Sequence, residues 1–194
     1  MGKEPILETT AIIDEKGNTL EKVNIVMLGN SLTYKGDWST LLKRNDIFNG
    51  GKRGWTSEQL SWVIKHFVSP YKPRLCFFKA GTNDITLGVA PERVYKNMTL
   101  VMDSIKSTGT HPVYTTTLYQ HGALDRNRIF DSINAQMELY CKTKGYDFLD
   151  LRPFLCKDGD IEKKYVEDGN THLTSEAYPL WAKAMQPILE KYGL

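Results

Sequence analysis

Long apolar runs are missing from this chain of 194 residues, and with them any candidate for crossing a bilayer. The first ten residues lack the charged start and apolar centre of a secretion signal, and Ile6 stands where myristoylation requires Ser or Thr. The expected setting is the cytoplasm, or the periplasm or exterior if an export signal has been removed. Cysteine is scarce: Cys76, Cys141 and Cys156 form no Cys-x-x-Cys pair, and an odd count argues against a disulfide framework. No His or Cys pair has zinc-finger spacing, so no metal is expected. Basic runs are also lacking. Net charge is +2 and Lys163-Lys164 is flanked by Glu162 and Glu167, so nothing points to nucleic acid as a partner. Without an internal repeat, low-complexity tract or linker, residues 1–194 read as one domain, with 1–22 an N-terminal extension.

What is present is apolar enough to form a core: 41% of residues are hydrophobic and 25% charged, the balance of an ordinary globular chain. Apolar runs at 23–28, 46–49, 75–80, 112–118 and 146–149 predict strands. Between them, helical spacing predicts helices at 38–43, 57–68, 91–107, 127–144 and 175–192, the last kinked near Pro179 or Pro187. Cys76, Trp62 and Trp181 read as packing residues, and His111 as an exposed loop residue. Residues 9–21, with a turn at Glu15-Lys16-Gly17-Asn18, suggest a small hairpin ahead of the core. Strands alternating with helices imply an α/β fold with a mostly parallel sheet covered on both faces, three layers in all.

Three short motifs fall at strand ends or before the last helix. Gly29-Asn30-Ser31-Leu32 follows the first strand, where a serine either presents its hydroxyl to a substrate or caps a helix. Gly81-Thr82-Asn83-Asp84 follows the third; its asparagine either donates to a developing oxyanion or makes a local Asx-turn. Asp168 to Thr174 precedes the last helix, and a carboxylate just before His172 can orient its imidazole. Each motif alone has a bland reading. In a flavodoxin-like five-stranded sheet of order 2-1-3-4-5, however, ligands bind between the first and third strands, which carry Ser31 and Asn83.

With these residues in view, the sequence resembles the SGNH (GDSL-like) hydrolase superfamily, over residues 23–192. Gly29 to Leu32 is similar to its first block and Gly81 to Asp84 to its G-x-N-D block. Asn49-Gly50-Gly51-Lys52-Arg53-Gly54 has the form N-x-G-x-x-G, which puts the family's oxyanion-hole glycine on Gly54. His172-Leu173-Thr174 with Ala177, Tyr178 and Trp181 resembles the ending of the branch holding sugar O-acetylesterases and platelet-activating-factor acetylhydrolase-like proteins. Two departures stand out: Asn30 occupies a place where the family has Asp, and Asp168 lies four residues before His172 instead of three. Asp168 is the favoured acid, with Glu167 or a Ser–His dyad as the alternatives.

The resemblance implies a serine ester hydrolase that needs no cofactor. His172 takes the proton of Ser31 during attack on an ester, and Ser31 N–H, Gly54 N–H and the Asn83 amide hold the oxyanion. Tyr34, Trp55, Ile85, Tyr119 and His121 are the expected substrate contacts. Their mixture of aromatic and polar groups suits a short acyl, above all acetyl, ester of a carbohydrate. A thioesterase or lysophospholipase using the same site, a non-catalytic carbohydrate-binding relative and a flavodoxin-like binding module are the competing readings.

Overall fold

The computed structural model describes residues 11–194. A hairpin of β1 (Ile12–Ile13) and β2 (Thr19–Leu20) precedes β3 (Ile25–Gly29), α1 (Ser31–Lys35), α2 (Trp38–Leu42) and β4 (Ile47–Gly51). Next come α3 (Ser57–Ser61), α4 (Ile64–Phe67), β5 (Leu75–Lys79), α5 (Thr82–Thr86) and α6 (Pro91–Ser107). The rest is β6 (His111–Thr115), α7 (Leu124–Lys144), β7 (Asp147–Leu149), α8 (Arg152–Leu155), the β8–β9 hairpin (Cys156–Lys157, Asp160–Ile161) and α9 (Ala177–Lys191). The expected hairpin is present within 12–20; its residues 9 and 10 lie outside the described part.

Five strands form the sheet β4-β3-β5-β6-β7, all parallel, which is the order 2-1-3-4-5. The three strands β3, β4 and β5 are buried throughout because helices cover both faces, so their sequences are mostly apolar runs and not alternations. Successive residues still point to opposite layers. Ile25, Met27, Leu75 and Phe77 meet α2 and α9; Val26, Leu28, Cys76 and Phe78 meet α3, α4, α6 and α7. Each such side chain contributes roughly 1.5–3 kcal/mol when fully buried.

Several local outcomes differ from the sequence expectation. The helix expected over 57–68 is broken between Ser61 and Ile64. Trp62 closes the first piece and stands 58% exposed, edge-on to Trp55 at 6.3 Å, so it is not a core residue as Trp181 is. The strand expected over 112–118 stops at Thr115, because the backbone of Thr117 is taken by the Asn134 side chain: Thr117 N–H donates to Oδ1 and Asn134 Nδ2 donates to Thr117 O, both at 2.9 Å. His111 begins β6 and is half-buried between Asp147 (2.8 Å) and Tyr192 (2.9 Å), not exposed in a loop. No described helix is long and apolar enough to cross a membrane.

Candidate active site

Ser31 is the first residue of α1, directly after β3 and Asn30. Asn30 is buried and its Oδ1 accepts from the N–H of Leu32 at 3.2 Å, capping the helix; Asn thus performs the turn-shaping role that its short polar side chain allows. The end of α1 is held by Asn49, the first residue of the N-x-G-x-x-G stretch. Its Nδ2 donates to the carbonyls of Tyr34 and Gly36, each at 3.1 Å, and its Oδ1 accepts from Gly51 N–H at 3.0 Å. Gly51 must be glycine, since a Cβ there would lie 2.3 Å from the backbone nitrogen of Tyr34.

Beyond Gly51 the chain turns through Gly54, whose φ of +76° falls where L side chains are strained. Ser57 then opens α3, anchored by Asp84: the carboxylate accepts from Ser57 N–H at 3.0 Å and from its hydroxyl at 2.5 Å, fully buried. One residue earlier, Asn83 Nδ2 donates to the carbonyl of Trp55 at 2.9 Å. The loop after β4 and the turn after β5 are therefore one unit. A primary amide has two N–H groups, so Asn83 keeps one for a ligand. The N–H groups of Ser31 and Gly54 have no acceptor among the described residues. Ser31, Gly54 and Asn83 all line one cleft of about 450 Å³, with Lys35, Arg53, Glu167 and His172.

His172 enters from the loop before α9. Its Nε2 lies 3.1 Å from Ser31 Oγ and its Nδ1 2.6 Å from Asp168 Oδ2. The four-residue spacing does not separate acid from base. The loop curls around the carboxylate, whose Oδ1 accepts from the N–H groups of Asn170, Thr171 and His172 at 2.8–3.0 Å. Partial burial pulls the Asp168 pKa upward, but these N–H groups and the His172 ring outweigh it and hold the carboxyl well below the usual range. Glu167 instead forms an ion pair with Lys35 on the cleft wall. Tyr178 of α9 donates to the carbonyl of Leu32 at 2.8 Å, fixing the base-bearing segment against the serine-bearing one.

The expected substrate contacts divide. Tyr34 and Trp55 do not line the cleft themselves but touch residues that do: the Tyr34 ring centroid lies 4.6 Å from the Arg53 guanidinium, and the Trp55 carbonyl accepts from Asn83. Ile85, Tyr119 and His121 do not line the cleft either. Tyr119 is buried, with its hydroxyl on Asp131. His121 is tied to the loop of His172: its N–H donates to Asn170 O at 2.8 Å and its carbonyl accepts from Asn170 Nδ2 at 3.0 Å. Ile85 borders a separate groove beside Leu124 and Ile129. Arg53, a cleft residue, was legible only as an unassigned position within N-x-G-x-x-G. Among the described residues no group of three His, Cys, Asp or Glu side chains is arranged to hold a metal ion.

Known proteins share this architecture. A GDSL-like lipase from Bacteroides thetaiotaomicron superposes with a TM-score of 0.76 at 23% identity, covering 87% of this chain and 88% of that one. An acetyl-xylooligosaccharide esterase from Geobacillus Stearmophilus, as a mutant, superposes at 0.70 with 15% identity, covering 88% and 94%. At these identities the likeness speaks for the fold. Among curated sequences, an N-acylneuraminate cytidylyltransferase of Streptococcus agalactiae is 26% identical over 171 residues, 86% of this chain but 38% of that protein. The chain thus spans well under half of that relative. The model of the GDSL-like lipase/acylhydrolase family matches residues 27–180, most of the chain, across the serine, glycine, asparagine and histidine segments just described: the protein belongs to that family of hydrolases.

Proposed function

We propose that the protein is a serine esterase that removes a short acyl group, acetyl first, from a carbohydrate hydroxyl. The observation that carries the reading is the continuous relay from Asp168 through His172 to Ser31, at 2.6 and 3.1 Å, opening into a cleft with three free donors. His172 accepts the Ser31 proton as Oγ attacks the ester carbonyl, and Asp168 stabilises the imidazolium that results. Ser31 N–H, Gly54 N–H and the second Asn83 N–H receive the oxyanion. The imidazolium returns its proton to the departing alcohol. Water then enters, loses a proton to His172 and releases the acid, restoring Ser31.

A short acyl group is supported by the wall chemistry. Apart from Gly54, the residues that line the cleft all carry polar or charged side chains. The carbohydrate part is supported by the likeness to an acetyl-xylooligosaccharide esterase and to an enzyme of acylneuraminate. One feature gives the thioesterase or lysophospholipase reading a foothold: behind the Lys35–Glu167 pair lies a pocket of about 280 Å³ with Leu41, Leu173 and Tyr178 on its walls. Lys35 and Glu167 line both this pocket and the cleft.

The test is hydrolysis of p-nitrophenyl esters from acetate to decanoate by wild type and Ser31→Ala. Acetate is expected to be the best substrate, with Ser31→Ala slower by roughly a millionfold. A rate that climbs with chain length transfers the reading to a lipid or thioester substrate. A folded wild type inert to every ester removes the esterase assignment.

A further inference from the structure

Charge on the cleft wall is not balanced. Four cations gather on the side formed by α1, the β1–β2 turn and the loop after β4: Lys16, Lys35, Lys52 and Arg53. Two have acids of their own, since Lys35 pairs with Glu167 and Lys52 with Glu15. Lys16 and Arg53 have no carboxylate partner among the described residues, and both stand over the Tyr34 ring, at 5.6 and 4.6 Å from its centroid. Tyr34 is itself fixed, its backbone pressed on Gly51 and its carbonyl bound by Asn49. The ring thus lies on an anchored stretch of backbone, meets the guanidinium with its π-system and leaves the planar N–H fork unused.

Arg53 immediately precedes Gly54, the proposed oxyanion donor, and both line the cleft with Ser31. Resting on the esterase reading above, the geometry points to an anion subsite at Arg53 that selects esters whose alcohol portion carries a carboxylate, such as an O-acetylated acidic sugar. The carboxylate lies against the guanidinium in a forked, charge-assisted pair while the ester carbonyl occupies the oxyanion donors one residue away. Glu167 is the acid among the residues lining the cleft, and its charge is already met by Lys35, so it leaves the field of Arg53 largely intact. Lys16 adds a second positive charge beside the same Tyr34 ring, which assists the approach of an anion.

The experiment compares 3-O-acetylglucuronate with 3-O-acetylglucose, two sugars that differ in one carboxylate, for wild type, Arg53→Gln and Arg53→Lys. The quantity read is the ratio of kcat/KM for the acid over the neutral sugar, so any loss of rate common to both cancels. Wild type is expected to prefer the acid by about tenfold or more, as one charge-assisted fork supplies. The ratio falls to near one in Arg53→Gln, lies between in Arg53→Lys, and shrinks with added salt in wild type. A wild-type ratio near one, or a ratio unmoved by Arg53→Gln, overturns the subsite and leaves the esterase intact. Calorimetric binding of free glucuronate and glucose provides a reading independent of turnover. Arg53-dependent binding of glucuronate by a protein inert to both esters keeps the subsite and removes the esterase. Equal binding of the two sugars by such a protein overturns both.

Discussion

The two halves of the candidate site are built differently. The half with Ser31, Gly54 and Asn83 is rooted in the sheet: Asn30, Asn49, Ser57 and Asp84 are all buried, the two asparagines closing turns and the Ser57–Asp84 pair joining two loops. The half with His172 and Asp168 rides on a loop outside the sheet, with both side chains more than one-third exposed. The first half is as stable as the fold, because disturbing it strands buried polar groups. The second is organised by one carboxylate that gathers three backbone N–H groups and the imidazole, so it is open to change without unfolding. The proposed oxyanion donors are therefore preorganised by folding, whereas the proposed base is set by local contacts.

The sharpest way to break this contrast is Asp168→Asn. It removes the charge that orients and stabilises the imidazolium, and turnover of p-nitrophenyl acetate is expected to drop roughly ten-thousandfold. Because the residue is exposed, the urea midpoint at neutral pH should move little. Its carboxyl is held below the ordinary range in the folded chain, so the stability it does contribute is present above pH 4 and lost only on acidification through its depressed pKa. Glu167→Gln should cost far less activity. A larger loss from Glu167→Gln than from Asp168→Asn would exchange their roles.

Lys79, at the end of β5 and in register with Gly29, sets the next test within the rooted half. Its ammonium is buried without a partner among the described residues, and burial pushes its pKa down to about 7, with only the Cys156 thiol acting upward. Between pH 7 and 10.5 the unfolded chain then holds a proton that the folded one lacks. Stability should accordingly rise with pH across that window, by up to about 1.4 kcal/mol per pH unit from this group. Lys79→Met should flatten that slope and raise the urea midpoint at pH 7. An unchanged slope in the variant would mean that Nζ finds water or an acid.

Asp84→Ala comes next. It leaves the Ser57 N–H and hydroxyl unmet in the interior, and should cost about 2–3 kcal/mol of unfolding free energy. Activity should fall with it, since Gly54 and Asn83 are joined through this anchor, and the loss should appear in kcat more than in KM. Retained kcat in a destabilised protein would separate the anchor from the donors.

These contrasts also explain what the sequence could say. The sheet order was readable because five apolar runs of strand length alternate with helical periods, and parallel connections leave few topologies. The serine, asparagine and histidine segments stood out because they follow strand ends or open helices. The pairing of Asp168 with His172 across an unusual spacing was not settled by counting, since it depends on Gly169 at φ +80° folding the loop back on itself. Tyr119 and His121 looked like cleft residues because they follow the fourth strand. The β8–β9 hairpin and the buried Asn127 claim them instead: Asn127 Oδ1 accepts from Gln120 N–H at 2.8 Å and its Nδ2 donates to Gln120 O at 3.0 Å, drawing that loop away from Ser31. Such side-chain-to-backbone ties leave no periodic trace. Arg53 was hidden for a similar reason, its place being defined by the Tyr34 ring, nineteen positions earlier in the chain.

The smallest effect tests the exposed half alone. Asn170 donates to the carbonyl of His121 and accepts from its N–H through its own backbone, while Gln120 Nε2 reaches Thr171 Oγ1 at 2.8 Å. These ties link the loop of His172 to the loop after β6, but Asp168 grips the same loop through three N–H groups and needs no help from them. Asn170→Ala removes two partly exposed hydrogen bonds, to His121 O and from Thr171 Oγ1, and should therefore cost about 1 kcal/mol. It should lower kcat only severalfold and leave KM unchanged, with local amide exchange at 168–172 quickened and exchange in β3 and β5 untouched. If Asn170→Ala instead rivalled Asp168→Asn, the loop would be held in place by its neighbour and not by its own carboxylate. The base would then be as deeply rooted in the fold as the oxyanion donors are.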